Sequence, residues 1–259
     1  MDQDHKFVRR IFSRGEWDFN GRFYGGWWQQ ISSVHRKDIF INDTPTVEVD
    51  FQGMHVAILS LQQGVRLEGD PYELPEGTIA GVSAALQRQL IKQLVLIAIN
   101  ASSNGSAFRS FRDGFPKGHV AKTMTNDQLE YFLAAFIKKH PQLEQKLCSD
   151  QGIRLMYADS CIAERIHAHF TAQSVPVLSV HDSYIIDYTR VAELREVMAT
   201  ASREVVGESL PTTANGIGLD SFADDPPDRI QDFVEWRDRP RCEGYRTRLA
   251  AHGRWLSGE

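Results

Sequence analysis

Apolar and polar positions along this chain follow helical spacing over its longest stretches and strand-like runs over its shortest. From Val82 to Asn100 few breakers intervene, and LQRQLIKQLVLIAIN at the centre predicts a long helix packed on most sides. Thr125 and Gln128 form a Thr-x-x-Gln capping box, which predicts a helix from Thr125 to His140. Leu155 to Gln173 and Val191 to Glu208 predict two more helices, and His55 to Leu61 a short one. Near the start, Phe7, Val8, Ile11 and Phe12 stand at helical spacing in the basic stretch His5 to Arg14, which predicts a short amphipathic helix. DFNGRFYGGWWQ reads as a turn entering a strand, with Trp27 and Trp28 as packing residues. Thr46 to Phe51 is a β-branched run. SVPVLSVHDSYIIDY holds two apolar runs around His181, Asp182 and Ser183, the pattern of a strand, a tight polar turn and a returning strand.

Composition narrows the classes. The chain has 259 residues, enough for a full hydrophobic core, and is 42% hydrophobic and 24% charged. Its net charge of −5 excludes a basic coat over the whole surface, though not a local basic groove. Three cysteines, Cys148, Cys161 and Cys242, lie far apart and point to a reducing compartment. The longest apolar run, Leu94 to Ile99, is far short of a membrane span, and the opening MDQDHKFVRR has no apolar signal core. A cytoplasmic, soluble protein is expected. From Asp220 to Asp238 acidic residues dominate, which predicts a peripheral or partly disordered tail.

Two carboxylates carry the chemistry. Asp50 closes the apolar strand VEVD, and Asp182 sits in the turn of VLSVHDSYII. A charge at the end of an apolar strand is costly unless water, a partner or a metal satisfies it. Two converging carboxylates suit hard cations, chiefly Mg²⁺; singly, each also reads as a strand-end turn residue. Arg88 and Lys92 stand four apart, so both project from one helical face, a pairing that suits a triphosphate as well as a solvated stripe. Arg109, Arg112, Lys117 and Lys122 are interleaved with Phe108, Phe111 and Phe115. That stretch fits a grip on single-stranded nucleic acid or a surface loop anchored by its phenylalanines.

VEVDFQGMH, RQLIKQLVLIAINA and VHDSYII resemble, in the same order, motifs A, B and C of the family A polymerases. Upstream, Asp18-Phe-Asn-Gly21-Arg22 is similar to the DxxGR signature of single-subunit, phage-type RNA polymerases. The motifs span about two thirds of the chain. The resemblance implies an α/β (α+β) polymerase palm with a mainly antiparallel sheet, reduced helical fingers and no full thumb. Residues 1–215 would be the palm, with fingers at approximately 75–150, and residues 216–259 an acidic extension. Asp50, Asp182 and the carbonyl of Phe51 would hold two Mg²⁺ ions, with Mn²⁺ as a substitute. His181 would contact the strand near the growing 3′ end. Lys92 would stabilise the incoming phosphates, and Arg88 would grip the outer one. Asp18 and Arg22 would brace the template or product backbone. Asp70-Pro71-Tyr72 resembles the acidic-aromatic stretch after motif A and would border the nucleotide pocket. Asp159 and Ser160, before motif C, either point to the site or are ordinary helix-surface polarity.

Two positions depart from the pattern. Asn100 stands eight places beyond Lys92, where the family has an aromatic residue that stacks on the base pair. His55 stands five places after Asp50, where the DNA polymerases carry a ribose-excluding glutamate. Ser183 and DxxGR lean towards ribonucleotides. The resemblance therefore implies template-directed, Mg²⁺-dependent RNA or primer synthesis from nucleoside triphosphates. Its partners would be a DNA template, an RNA or DNA primer and a protein that helps hold the template, with no membrane. A small family A DNA polymerase, and a non-catalytic nucleic-acid-binding palm that recruits a replication protein, remain open.

Overall fold

The chain opens with a hairpin, not with the predicted amphipathic helix. In the computed structural model, which describes residues 4–42 and 44–215 together with Asp228, Gln231 and Arg254, β1 (Arg9–Ser13) pairs antiparallel with β2 (Glu16–Tyr24). The two connecting residues, Arg14 and Gly15, have φ of 56° and 73°, the left-handed pair that matches a two-residue turn to the twist of its strands. A short helix is marginal on its own, and cross-strand pairing overrides the helical spacing of Ile11 and Phe12. Phe12 packs edge-on against Trp17, with ring centroids 4.8 Å apart.

A 3-10 turn at Trp27–Gln30 follows, then α1 (Ser33–Arg36), β3 (Phe40–Ile41), β4 (Thr44–Phe51) and α2 (Met54–Leu61). Trp28 is buried and donates its indole N–H to the Ser179 carbonyl at 2.9 Å, a packing residue as its apolar setting predicts. After a long connection come α3 (Ala84–Asn100), α4 (Asn104–Asp113) and α5 (Asn126–Lys139). Both halves of the Thr125–Gln128 capping box are formed at the start of α5. The chain then returns through α6 (Gly152–Ala172), β5 (Leu178–Val180), β6 (Ser183–Asp187), α7 (Val191–Val206) and β7 (Thr212–Asn215).

The fold is mixed α/β with antiparallel sheets. The central sheet runs β3-β4-β6-β5, and β7 joins β4 along the edge that β3 leaves free. Alternation along β4 divides its residues. Val47, Val49 and Phe51 enter the main core with Tyr184 and Ile186 of β6, and each large apolar side chain buried there contributes roughly 1.5–3 kcal/mol. Glu48 and Asp50 share the other face with Ile185, which packs in a smaller cluster with Trp28 and Ile39. The carboxylates thus fall on the less buried side of the strand.

The basic-aromatic stretch begins on helix α4 and is not the expected surface loop, though its phenylalanines do anchor it to the core. Phe108, Phe111 and Phe115 belong to the core, so none is free to stack on a base. Phe108 and Phe111, three apart on α4, turn inward together, and Phe115 follows just beyond the helix. No helix among the described residues is long and apolar enough to cross a membrane. The acidic stretch from Asp220 to Asp238 and Cys242 lie outside the described residues, apart from Asp228 and Gln231.

Candidate active site

Asp50 is the seventh residue of β4 and pairs with Ser183 on one side and Thr213 on the other. Ser183 follows the two-residue turn His181-Asp182 that joins β5 to β6. His181 has φ of 57°, the left-handed conformation required at the first position of such a turn and uncommon for a residue with a Cβ. The Phe51 N–H donates to the Asp182 carbonyl at 3.2 Å, so the end of β4 is tied to the turn itself. Asp50, Phe51, His181 and Asp182 together line one wall of an open cleft of about 610 Å³. Burial pushes the Asp50 carboxyl up to about 7; the Asp182 charge adds to the shift and Lys92 opposes it.

α3 lines another part of the same cleft. Arg88, Lys92, Leu96 and Asn100 recur every four residues, form one stripe and all line the cleft. Arg88 forms an ion pair with Asp70, and Asp70, Pro71 and Tyr72 line the cleft beside it. The Lys92 ammonium lies 6.0 Å from the centre of the Tyr72 ring. Asn100 donates to the Leu96 carbonyl at 2.7 Å and rests on Gly152, where a Cβ would come within 1.8 Å of its Oδ1.

Arg22 enters from β2. A register shift in the hairpin lies beside Asn20 and Gly21, both with positive φ. At Gly21 a Cβ would meet Ser160 Oγ at 2.8 Å, so the missing side chain lets β2 lie against α6. That approach brings the Arg22 Nε within 2.5 Å of Asp159, and its Nη2 lies 3.1 Å from His55 Nε2. Asp159 is fully buried, which pushes its carboxyl up to about 6 even though the Arg22 charge draws it down. Burial and the Arg22 charge hold His55 near 3, so its ring is neutral. The same two influences lower His181 against the pull of Asp182.

The cleft therefore gathers Asp50, Phe51, Asp182, His181, Lys92, Arg88, Asn100, His55 and Arg22. Asp18 does not join them: it lies on the exposed first half of β2, between the paired residues Glu16 and Asn20 where the hairpin register is irregular. Arg109, Arg112 and Lys117 are also outside the cleft. Arg112 is committed to the Met124 carbonyl at 3.2 Å and to Asn126 Oδ1 at 2.9 Å. Sequence reasoning missed Arg36 and Glu48, which form a two-point ion pair at 3.0 and 2.7 Å beneath Asp50. Ser183 donates to the same Glu48 carboxylate at 2.6 Å. The alternation that turns Asp50 outward also turns Glu48 outward, and that was the available signal.

Among the described residues no group of three or more His, Cys, Asp or Glu is gathered to hold a metal ion. The donor set nevertheless fits Mg²⁺, which takes one or two carboxylates and completes its shell with water and substrate phosphates. Burial is the larger cause of the raised Asp50 carboxyl and the Asp182 charge the second, and a cation beside the two would relieve that second part.

One open cleft thus brings together a strand carboxylate, Asp50, a turn carboxylate, Asp182, and two cations of α3. No protein-family model matches the chain, and no curated protein matches it. Among solved structures it is similar to the POL domain of Pol1 from M. smegmatis in complex with DNA primer-template and dNTP. The identity is 11% and the TM-score 0.38, over 78% of this chain and 46% of that one. The chain thus spans less than half the length of that structure.

Proposed function

We propose that this protein is a metal-dependent nucleotidyltransferase that adds nucleotides from nucleoside triphosphates to a nucleic-acid 3′ end. The observation that carries the reading is the gathering of Asp50, Asp182, Arg88 and Lys92 in one cleft, with the Asp182 and Lys92 charges both acting on the Asp50 carboxyl. Hard carboxylate oxygens suit divalent cations, and the guanidinium and ammonium groups in the same cleft suit phosphates.

In this reading Asp50, Asp182 and the Phe51 carbonyl hold Mg²⁺, or Mn²⁺ in its place. The chemistry Mg²⁺ supplies when bound is charge stabilisation at the attacking 3′-oxygen and at the departing pyrophosphate. Lys92 and Arg88 orient the triphosphate so that the α-phosphorus faces the 3′-hydroxyl. Arg22, held by Asp159, presents a fixed positive charge to the nucleic-acid backbone, and His181 contacts the strand at its end. His55 is a neutral wall near the sugar. The sheet with α2, α6 and α7 forms the palm, and residues 75–150 a compact fingers region. Asp18, Arg109 and Lys117 take at most an outlying part in holding nucleic acid.

The test is incorporation of labelled ribo- and deoxyribonucleotides on primed and unprimed DNA templates with Mg²⁺. Wild-type protein is expected to extend, and Asp50→Asn and Asp182→Asn to lose extension while remaining folded. Competition between the two nucleotide types decides between RNA or primer synthesis and DNA synthesis. No incorporation under any of these conditions overturns the reading.

A further inference from the structure

Arg88 is the outermost cation of the basic stripe on α3, and it is already engaged by a carboxylate from another part of the chain. Its partner Asp70 belongs to a segment fastened at several points. The Tyr72 N–H donates to Asp70 Oδ1 at 3.0 Å, which closes a tight local turn. Lys139, at the end of α5, donates to the carbonyls of Asp70 and Glu73 at 2.8 and 2.7 Å. His140 Nε2 lies 2.9 Å from the Pro71 carbonyl. Asp70 is thus fixed by backbone contacts that do not involve Arg88. The Arg88 side chain is 50% exposed and long enough to swing.

We propose that Asp70 is a built-in competitor for Arg88: it occupies the guanidinium as the outer phosphate of a triphosphate would, and the triphosphate binds by displacing it. This deepens the functional reading above and rests on it for the identity of the incoming anion. Arg88 Nε donates to Asp70 Oδ2 alone, while Asp70 Oδ1 takes the Tyr72 N–H. A phosphate, which can meet a guanidinium through two oxygens, can therefore displace this single contact without rebuilding the cleft. Burial would raise the Asp70 carboxyl, but the hydrogen bond from Arg88, that from Tyr72, and the Arg88 and Lys139 charges outweigh it and hold it lowered. Asp70 therefore stays charged at neutral pH and competes throughout the working range. The competition falls only on anions long enough to reach Arg88; one that reaches Lys92 alone neither gains from Arg88 nor has to displace Asp70.

The experiment is calorimetric titration of inorganic triphosphate into the full chain at low salt, without divalent cations. Wild type, Asp70→Asn, Arg88→Gln and the double variant are compared. Asp70→Asn is expected to bind about two- to fivefold more tightly, the range of a half-exposed ion pair, and high salt should shrink the gain. The gain should vanish in the Arg88→Gln background. If Asp70→Asn does not fold, Asp70→Ser, which keeps an oxygen for the Tyr72 N–H, supplies the same comparison. Equal or weaker binding by the Asp70 variant, no binding by either protein, or a gain that persists without Arg88 overturns the competition. Tighter binding with no nucleotide incorporation by wild type sinks the functional reading and leaves the competition standing.

Discussion

Asp50 lies directly across the sheet from Ser183, the residue that follows Asp182. Residues so far apart in the chain become neighbours because β4 and β6 pair antiparallel in this register. A shift of one residue would turn Asp50 into the apolar core and Val49 into the cleft. The Phe51 N–H to Asp182 carbonyl bond holds that register at the end where the site sits.

The first prediction concerns pH. The folded state keeps the Asp50 proton up to about 7, whereas an unfolded aspartate loses it near pH 4. The folded chain then binds more protons across that window. Asp50 should therefore lower stability as pH rises through it, by at most about 1.4 kcal/mol per pH unit. Asp50→Asn should flatten the urea-unfolding profile between pH 4 and 7 and be the more stable protein at pH 8. An unchanged profile contradicts the burial and charge assigned to Asp50.

Arg22 and Asp159 form a buried pair, with side chains only 13% and 1% exposed. Removing one partner leaves the other charge stranded, so Asp159→Asn should cost about 3–5 kcal/mol by chemical denaturation. Combining it with Arg22→Gln should cost less than the sum of the two single changes. Additive losses would mean that the two side chains do not interact.

Gly152→Ala should destabilise the protein by forcing Asn100 away from α6, given the 1.8 Å approach of a Cβ to its Oδ1. Asn100→Ala should restore most of the loss in the double variant. A double variant no more stable than Gly152→Ala would place the clash elsewhere.

Tyr184 is fully buried and its hydroxyl has no hydrogen-bond partner among the described residues. Tyr184→Phe should therefore be neutral or stabilising by about 1 kcal/mol, read as a rise in Tm. A clear loss of stability would reveal a partner for that hydroxyl.

Much of this architecture was legible in the sequence where a pattern was long or closed by a cap. The α3 stripe, the Thr125 cap and the strand-turn-strand around His181 all appear at or near their expected positions. The first hairpin was not legible, because its turn is Arg14-Gly15, without the Asn-Gly or Asp-Gly signal, and its first strand also satisfies helical spacing. Asp70-Pro71-Tyr72, expected to border a nucleotide pocket, lines the cleft, and a nucleotide there is the proposal above. The Asp70 ion pair with Arg88 was invisible, since it depends on how the segment is fastened to α5. Asp159 read equally well as helix-surface polarity. Only the close approach of β2 at Gly21 turns it into the buried partner of Arg22.

The most direct measurement of the central claim is the titration of Mn²⁺, standing in for Mg²⁺, followed by the electron paramagnetic resonance signal of the free ion. It should be run with a nucleoside triphosphate present, on wild type, Asp50→Asn and Asp182→Asn. Wild type should bind the ion, and each variant should weaken binding on the order of tenfold or more, as loss of even an outer-sphere partner can. Equal binding by all three proteins would show that Asp50 and Asp182 do not share a cation, and would contradict the account.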